Sequence, residues 1–258
     1  QAQACQGRRR HSFAGELNGQ LHLTRAALRA PSPAVRRGAC SQLRCSVASG
    51  RGDSMFSLFY GLYEYLFRPV EYNVLILGIG NAGKTTLLER VKHVFEGEEP
   101  LSPDRIMPTV GLNIGRIDTN GKGKLLIWDL GGQKSLRGMW EKYYDEAHAL
   151  LYVLDAAAEG GKMEETKEAF SKVLVSERLE GAPIMVVANK QDKAEALSKE
   201  DVKRILELEG DIYKGHQWLV QPMSALNGAG VEEGMFWLVD AIRRSPRTSH
   251  LEQSSRRS

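Results

Sequence analysis

The sequence predicts an α/β fold in which short apolar strands alternate with helices and polar loops. Apolar runs of strand length occur at residues 74–77, 125–128, 184–187 and 218–220. A segment containing Gly, Asp, Asn or Ser follows each run, which is where open α/β sheets bind their ligands. With 258 residues, 42% of them hydrophobic and 26% charged, the chain has ordinary globular composition and enough apolar residues for a core.

The two ends of the chain differ in composition from its middle. Residues 1–54 hold nine arginines, two acidic residues, no lysine and all three cysteines. This composition is typical of basic disordered segments and of transit peptides. Because no methionine precedes Met55, we expect 1–54 to be a basic disordered leader absent from the working protein. Organellar targeting and a functional basic arm are the alternatives.

Residues 246–258 are also basic and are predicted to be a disordered tail. The main domain is therefore expected over residues 70–245. This domain contains no cysteine, which excludes a disulfide framework and a thiolate metal site and favours a reducing compartment.

The first chemical motif, GIGNAGKT at residues 78–85, fits the phosphate-binding pattern GxxxxGK[ST]. Its backbone amides would surround phosphates, Lys84 would reach the outer phosphates, and the Thr85 hydroxyl would bind Mg²⁺. A glycine-rich turn with a solvated lysine is the alternative, but the flanking strand and helix patterns disfavour it. The phosphate-binding residues predicted here are Gly78, Asn81, Ala82, Gly83, Lys84, Thr85 and Thr86.

A second motif, WDLGGQ, places Asp129, Gly132 and Gln133 at the end of an apolar strand. Asp129 is predicted to hold Mg²⁺ through water, and the Gly132 amide to contact the γ-phosphate of a nucleoside triphosphate. Gln133 would orient an attacking water. On its own the pattern is weak, because Asp and Gly are common in turns, and it gains weight from Lys84 and Thr85.

A third motif, NKQD, follows the strand at 184–187 and indicates guanine recognition. Guanine presents N1–H and a 2-amino group side by side, and the Asp192 carboxylate can accept from both. The Lys190 stem would lie along the ring, and Asn189 would bond the purine and tie this loop to the phosphate loop. A fourth segment, Ser224-Ala225, could offer the Ala225 amide to the guanine carbonyl. Adenine would leave a buried carboxylate unpaired.

Two other readings remain at this point. A phosphate-loop kinase or metabolic ATPase would make NKQD a coincidence. A nucleotide-dependent scaffold with little hydrolysis would keep the site without using Gln133 as a catalytic group.

Six stretches of the chain resemble the Arf family of small GTPases, and most closely its ADP-ribosylation-factor-related branch. They are LILGIGNAGKTTLLE, PTVGLNIG, LLIWDLGGQKSLRGMWEKYY, LLYVLDA, VVANKQD and MSALNGAGV. The resemblance spans residues 55–245. It implies a P-loop NTPase with a six-stranded, mostly parallel sheet flanked by helices and an N-terminal amphipathic helix. It also implies a GTP- and GDP-binding switch with Mg²⁺ that acts in Golgi membrane traffic.

The resemblance assigns further roles to residues of this chain. Thr109 is similar to the switch threonine that joins Mg²⁺ only in the GTP state. Leu112, Trp128 and Tyr143 fall at the family's exposed effector-binding triad, although the first is usually phenylalanine. Between them, residues 114–127 are predicted to form a hairpin with a turn at 120–121, and in Arf proteins this hairpin changes register when GTP binds.

Two departures from the family concern the chemistry and its regulation. Gly80 stands where Arf proteins usually have aspartate, and the first switch loop, FEGEEPLSPDRIMP, is long and acidic. No arginine of this chain is predicted to enter the site. We therefore expect a slow GTPase that needs an activating protein, with an arginine finger adding about 10³ to 10⁵ in rate.

Residues 55–69, MFSLFYGLYEYLFRP, are predicted to be an amphipathic membrane-switch helix. The segment is too short to span a membrane, which takes about 20 apolar residues. A permanently packed first helix is the alternative. Because Phe56 follows Met55, this terminus cannot be myristoylated as in Arf. The related branch implies an acetylated methionine and a membrane-protein receptor.

The partners expected from the resemblance are an exchange factor, an activating protein, effectors and a reversible membrane contact. We expect a cytoplasmic monomer that cycles to trans-Golgi membranes. Nothing in the sequence indicates nucleic-acid binding.

Overall fold

A computed structural model of the protein describes residues 71–208 and 215–255. The predicted leader 1–54 and membrane-switch helix 55–69 lie outside the described residues. Within the described part, no helix is long and apolar enough to cross a membrane.

The described chain forms a six-stranded sheet with helices on both faces. The strands are β1 (Glu71–Leu77), β2 (Leu112–Asp118), β3 (Lys124–Leu130), β4 (Ala149–Asp155), β5 (Ile184–Asn189) and β6 (Trp218–Pro222). The helices are α1 (Lys84–Glu96), α2 (Lys162–Leu174), α3 (Lys199–Ile205), α4 (Val231–Arg244) and α5 (Pro246–Ser255). Three 3₁₀ segments occur at Pro103–Arg105, Arg137–Tyr143 and Glu177–Leu179.

The strand order is β2-β3-β1-β4-β5-β6, and all neighbours are parallel except β2 and β3. This confirms the predicted α/β class and the mostly parallel six-stranded sheet. Strands β4 and β5 are apolar or aromatic up to their last residues, Asp155 and Asn189, because helices cover both of their faces. The carboxyl ends of β1, β3, β4 and β5 consequently meet at one edge, where ligands bind in such sheets.

Two apolar cores fix the helices against this sheet. On one face, α2 and α3 contribute Phe170 and Val202 against Tyr152 of β4. On the other, α1 and α4 contribute Leu88 and Leu238. The phosphate loop and the base-binding loops therefore emerge from strands whose positions are set by packing on both sides.

The predicted hairpin is present. β2 pairs antiparallel with β3 from Leu112 opposite Leu130 to Asp118 opposite Lys124. Asn120 and Gly121 both have positive φ, and Lys122 N donates to Thr119 O, as in a type I′ turn. At the tip, the Lys122 ammonium lies 3.6 Å from the ring centroid of Phe236 on α4.

The prediction of a disordered tail from residue 246 is wrong for Pro246–Ser255, which form α5. Arg247 donates to the backbone carbonyls of Tyr144 (2.6 Å) and Ala147 (2.7 Å), and Thr248 Oγ1 donates to Ile242 O (2.7 Å). Polar residues that suggested a solvated tail instead bond to backbone carbonyls of the main domain. Composition alone does not reveal such contacts.

His148 is a buried titratable group at the edge far from the phosphate loop. Its Nδ1 accepts from Asn73 N (3.0 Å), its own N donates to Asn73 O (2.8 Å), and its ring packs edge-on against Tyr72. Burial and, to a smaller extent, the charge of Arg247 together lower the pKa of His148 from 6.5 to about 4. The imidazole is therefore neutral in the folded protein at pH 7.

We predict that acidification destabilises the fold through His148. Because its pKa is lower folded than unfolded, the unfolded state binds more protons between about pH 6.5 and 4. The free energy of unfolding should fall across this window by on the order of 3 kcal/mol. Urea unfolding at pH 7, 6 and 5 measures the slope. His148→Asn keeps an acceptor but not the titration and should flatten the curve; equal slopes in both proteins would contradict the prediction.

Candidate functional site

The phosphate-binding loop predicted at 78–85 connects β1 to α1, with backbone geometry that two of its glycines make possible. Gly78 has φ +145°, and a Cβ there would lie 2.1 Å from Val153 O of β4. Gly83 has φ +91°, and a Cβ there would lie 2.3 Å from Asn189 Nδ2. Both positions require glycine because the loop passes against neighbouring strands. Asn81, Ala82, Thr85 and Thr86 lie in the same loop and first helical turn.

Lys84 points into the loop and is only 6% exposed. Its Nζ donates to Ile79 O at 3.0 Å, which holds the ammonium under the loop backbone. Burial lowers the pKa of Lys84 to about 8, opposed by the charge of Asp129 and reinforced by that of Arg137. A bound anion would favour the charged ammonium at this place.

Three side-chain oxygen groups from separate segments meet beside Lys84. Thr85 Oγ1 donates to Asp129 Oδ2 at 2.6 Å and lies 2.7 Å from Thr109 Oγ1, and Thr109 Oγ1 lies 3.3 Å from the same carboxylate oxygen. The structure thus brings together the three predicted metal ligands. Among residues 71–208 and 215–255, no group of three His, Cys, Asp or Glu side chains could hold a metal ion.

The donor set fits Mg²⁺. Asp129 is fully buried, and its Oδ1 makes no hydrogen bond within the described part of the chain. Burial raises the pKa of Asp129, while Thr85, Lys84, Thr109 and the facing Asn113 favour the ionised form. A carboxylate and two hydroxyls are hard oxygen ligands of the kind that Mg²⁺ accepts, and a cation would offset the cost of burying Asp129.

The turn that carries Gly132 and Gln133 lies directly against the phosphate loop. A Cβ on Gly132 would be 2.4 Å from both Gly78 O and Lys84 Nζ. Gly131 N donates to Gly111 O at 3.0 Å, which joins this turn to the segment containing Thr109. Gln133 is exposed at the rim of the site, where a solvent molecule can reach it.

Asn189 connects the phosphate loop to the predicted base-binding loops. Its Nδ2 donates to Ala82 O at 2.8 Å, and its Oδ1 accepts from Ala225 N at 2.9 Å. The predicted tie to the phosphate loop is therefore present. The Ala225 amide, expected to be free for guanine, is already bonded to Asn189, so a guanine carbonyl would share or replace that acceptor.

The other two residues of NKQD are also held by polar partners. Lys190 Nζ lies 2.7 Å from Asp155 Oδ2 at the end of β4, and Ser224 Oγ donates to Asp192 Oδ1. Asp192 is exposed, whereas the interpretation of the sequence treated it as a buried carboxylate.

Three residues at this site were missed by the sequence reasoning. Asp155 directly follows the apolar strand LLYVL, the same signal that revealed Asp129, and could have been found. Arg90 on α1 donates from Nε to Ala225 O at 3.1 Å and from Nη2 to Leu226 O. Arg137 donates from Nε to Gly132 O at 3.0 Å, although no arginine of this chain was expected at the site. Arg90 lies just outside the stretches that carry the family resemblance, and Arg137 lies within one of them, but neither belongs to the four nucleotide-binding motifs.

The surface predicted for effectors differs from the expectation. Trp128 is 7% exposed rather than open to solvent, because its ring packs edge-on against Tyr143 at 5.7 Å between centroids. Leu112 and Tyr143 are half-buried. The exposed apolar side chains nearby are instead Met107, Val110 and Ile114.

Comparison with known proteins agrees with this geometry. The ADP-ribosylation factor family matches residues 59–242. ADP-ribosylation factor-related protein 1 of Bos taurus is 46% identical over 192 residues, which cover 74% of this chain and 94% of that protein. The human protein of that name is 45% identical over the same shares. ADP-ribosylation factor-like protein 3 of Saccharomyces cerevisiae is 34% identical over 194 residues, 75% of this chain and 97% of that protein.

A solved structure has the same fold. The Arl6 (BBS3) small GTPase of Trypanosoma brucei, with the bound nucleotide analogue GppNp, superposes with a TM-score of 0.59 and 30% identity. The match covers 68% of this chain and 99% of that chain. The sheet order, the phosphate loop and the sequence relatives lead to one conclusion: this chain belongs to the ADP-ribosylation factor family of small GTPases.

Proposed function

We propose that this protein is a GTP-dependent switch that binds GTP and GDP with Mg²⁺, hydrolyses GTP to GDP and phosphate, and recruits effectors when GTP is bound. The observation that carries the proposal is the cluster of Thr85, Thr109 and Asp129 beside Lys84. Within the described ranges, it leaves one buried oxygen of Asp129 without a hydrogen bond beside the phosphate loop.

The residues of the phosphate loop would bind and neutralise the phosphates. Lys84 supplies a fixed charge, and the loop amides and the start of α1 add oriented dipoles. Thr85, Thr109 and, through water, Asp129 would hold Mg²⁺, which would supply positive charge to the phosphates. Gly132 would contact the γ-phosphate, and Gln133 would orient the attacking water.

Base selection is assigned to Asp192. Ser224 holds one carboxylate oxygen, so the carboxylate has a fixed direction for the paired N1–H and 2-amino donors of guanine. Asn189 joins this loop to Ala82, and nucleotide contacts at the base and the phosphates are thereby mechanically linked. An ATPase would not need a carboxylate at this place, because adenine does not present the paired donors of guanine.

The position of Thr109 supports the switch part of the proposal. The family resemblance assigns this hydroxyl to Mg²⁺ in the GTP state alone, and here it lies within 3.3 Å of Asp129. The same segment is bonded to the Gly132 turn through Gly111 and Gly131. Loss of the γ-phosphate would remove a group that the Thr109 segment and the Gly132 turn would both depend on for their positions.

The site of action is proposed from the resemblance. We assign the protein to a cycle between cytoplasm and trans-Golgi membrane, regulated by an exchange factor and an activating protein. Residues 55–69 would provide the reversible contact with a membrane surface or a membrane-protein receptor.

The deciding experiment is to identify the nucleotide bound to the purified protein and to follow single-turnover GTP cleavage. We expect bound GDP or GTP, Mg²⁺-dependent binding and slow cleavage that cell extract accelerates. Lys84→Ala should lose nucleotide, because the buried cation inside the loop is removed. Cleavage absent with and without extract would favour the scaffold reading, and tighter binding of ATP than GTP would exclude the guanine assignment.

Gly132→Ala should weaken binding of a non-hydrolysable GTP analogue about ten- to hundredfold with little change for GDP. The new Cβ would collide with Gly78 O, so the turn would have to leave the phosphate loop and lose its γ-phosphate contact. Gly138→Ala is the matched control, because a Cβ there meets no atom within 4 Å. Equal losses for GDP and the GTP analogue in Gly132→Ala would speak against a γ-phosphate role.

A chain that begins at Met55 should sediment with lipid vesicles more strongly when loaded with the GTP analogue than with GDP. The expected reason is that the apolar face of residues 55–69 becomes available only in the GTP state. The full chain and a chain that begins at residue 70 provide the comparison. Equal partitioning in the two nucleotide states would refute a nucleotide-controlled membrane helix.

A further inference from the structure

We propose that Arg137 is a positioning residue for GTP hydrolysis, which holds Gln133 in place through the carbonyl of Gly132 and is itself anchored by Glu165 on α2. The inference rests on the proposed GTPase function and assigns a residue to it that lies in none of the nucleotide-binding motifs. Arg137 acts through the backbone and is not proposed to touch the nucleotide.

The turn at 131–133 is fixed by donors behind it. Trp140 Nε1 donates to Gly131 O at 3.1 Å, Arg137 Nε donates to Gly132 O at 3.0 Å, and Leu136 N donates to Gln133 O at 2.9 Å. Three consecutive carbonyls are thus bonded by the 3₁₀ segment and its first flanking residue. These bonds set the directions of the three carbonyls.

Because each peptide group is planar, Trp140 and Arg137 fix different groups of the turn. The carbonyl of Gly131 lies in the same rigid plane as the N–H of Gly132, so Trp140 sets the direction of the amide predicted to meet the γ-phosphate. The carbonyl of Gly132 shares its plane with the nitrogen of Gln133. Arg137 therefore fixes the peptide plane that leads into Gln133, and with it the backbone position of that residue. Trp140 fixes the direction of the Gly132 N–H.

Arg137 has the fixed geometry that this role needs. Its Nη2 forms an ion pair with Glu165 Oε1 at 2.5 Å, and its side chain is only 18% exposed. Glu165 stands in the first turn of α2, whose Phe170 and Val173 are buried in the core. A guanidinium can bond Gly132 O and Glu165 with two of its nitrogens at once, whereas a lysine ammonium is a single point.

The charge of Arg137 also reaches the phosphate loop, where it contributes to lowering the pKa of Lys84. The hydrogen bond to Gly132 O and the ion pair with Glu165 hold the guanidinium on the carbonyl side of the turn.

The test separates binding from the chemical step. We expect Arg137→Ala to slow single-turnover GTP cleavage about ten- to hundredfold, because Gln133 loses its fixed starting point. Affinities for GDP and for a non-hydrolysable GTP analogue should change less than about threefold. Trp140→Phe removes the indole donor and should show the reverse pattern, with weaker binding of the GTP analogue relative to GDP.

Further variants test the ion pair between Arg137 and Glu165. Glu165→Gln should slow cleavage less than Arg137→Ala, since the hydrogen bond to Gly132 survives. Arg137→Lys should restore part of the rate. Arg178→Ala is the matched control, because Arg178 forms an exposed ion pair with Asp145 away from the nucleotide loops, and it should cleave GTP like the unmodified protein.

Cleavage by Arg137→Ala at the unmodified rate would overturn the inference. Loss of GDP affinity, or a lower melting temperature of the GDP complex together with slow cleavage, would also overturn it by showing a merely structural role. If the unmodified protein binds guanine nucleotide but does not cleave GTP, the hydrolytic part of the proposed function fails and the inference falls with it. If the unmodified protein and Arg137→Ala cleave GTP at the same rate, the inference about Arg137 fails while the proposed GTPase function stands.

Discussion

The buried carboxylate of Asp129 is the constraint on which the arrangement of this site depends. It is completely removed from solvent at the end of β3, and two hydroxyls share one of its oxygens while the other has no hydrogen bond in the described residues. Burying a charge in this way is unfavourable unless an opposite charge compensates. Lys84 supplies part of that charge, and a divalent cation would supply the rest. A bound cation would therefore stabilise the local fold.

This constraint explains why separate segments approach one another. Thr85 comes from the phosphate loop and Thr109 from the loop before β2, and neither is near Asp129 in sequence. Their hydroxyls converge on one oxygen, so ligand binding at that point acts on three segments at once. Asn189 extends the coupling to the base-binding side through Ala82 and Ala225. A nucleotide that contacts both ends would thus bind a preassembled frame, which lowers the entropic cost of association.

The sequence was informative wherever a backbone position or a ligand-binding group recurs in a fixed pattern. The phosphate loop, the hairpin turn at Asn120-Gly121 and the meeting of Thr85 with Asp129 were all predicted, because glycine requirements and strand ends are local signals. The ligand roles of these residues stay predictions. Helix α5 was missed because Arg247 and Thr248 bond to backbone carbonyls, and carbonyls occur at every residue. The burial of Trp128 was missed because it depends on Tyr143, which comes from a different element.

The two unexpected arginines have the same physical explanation. A motif identifies the groups that touch a ligand, but those groups are useful only if their backbone is held in one conformation. Arg90 bonds the carbonyls of Ala225 and Leu226, and Arg137 bonds the carbonyl of Gly132. Each reaches from a neighbouring element to the carbonyl side of a turn whose amide side faces the site. Any residue with a donor of sufficient reach could serve, so a motif does not specify which residue supplies this support. The specificity of the ligand contacts is therefore encoded in short patterns, whereas their rigidity is encoded in the packing of the elements around them.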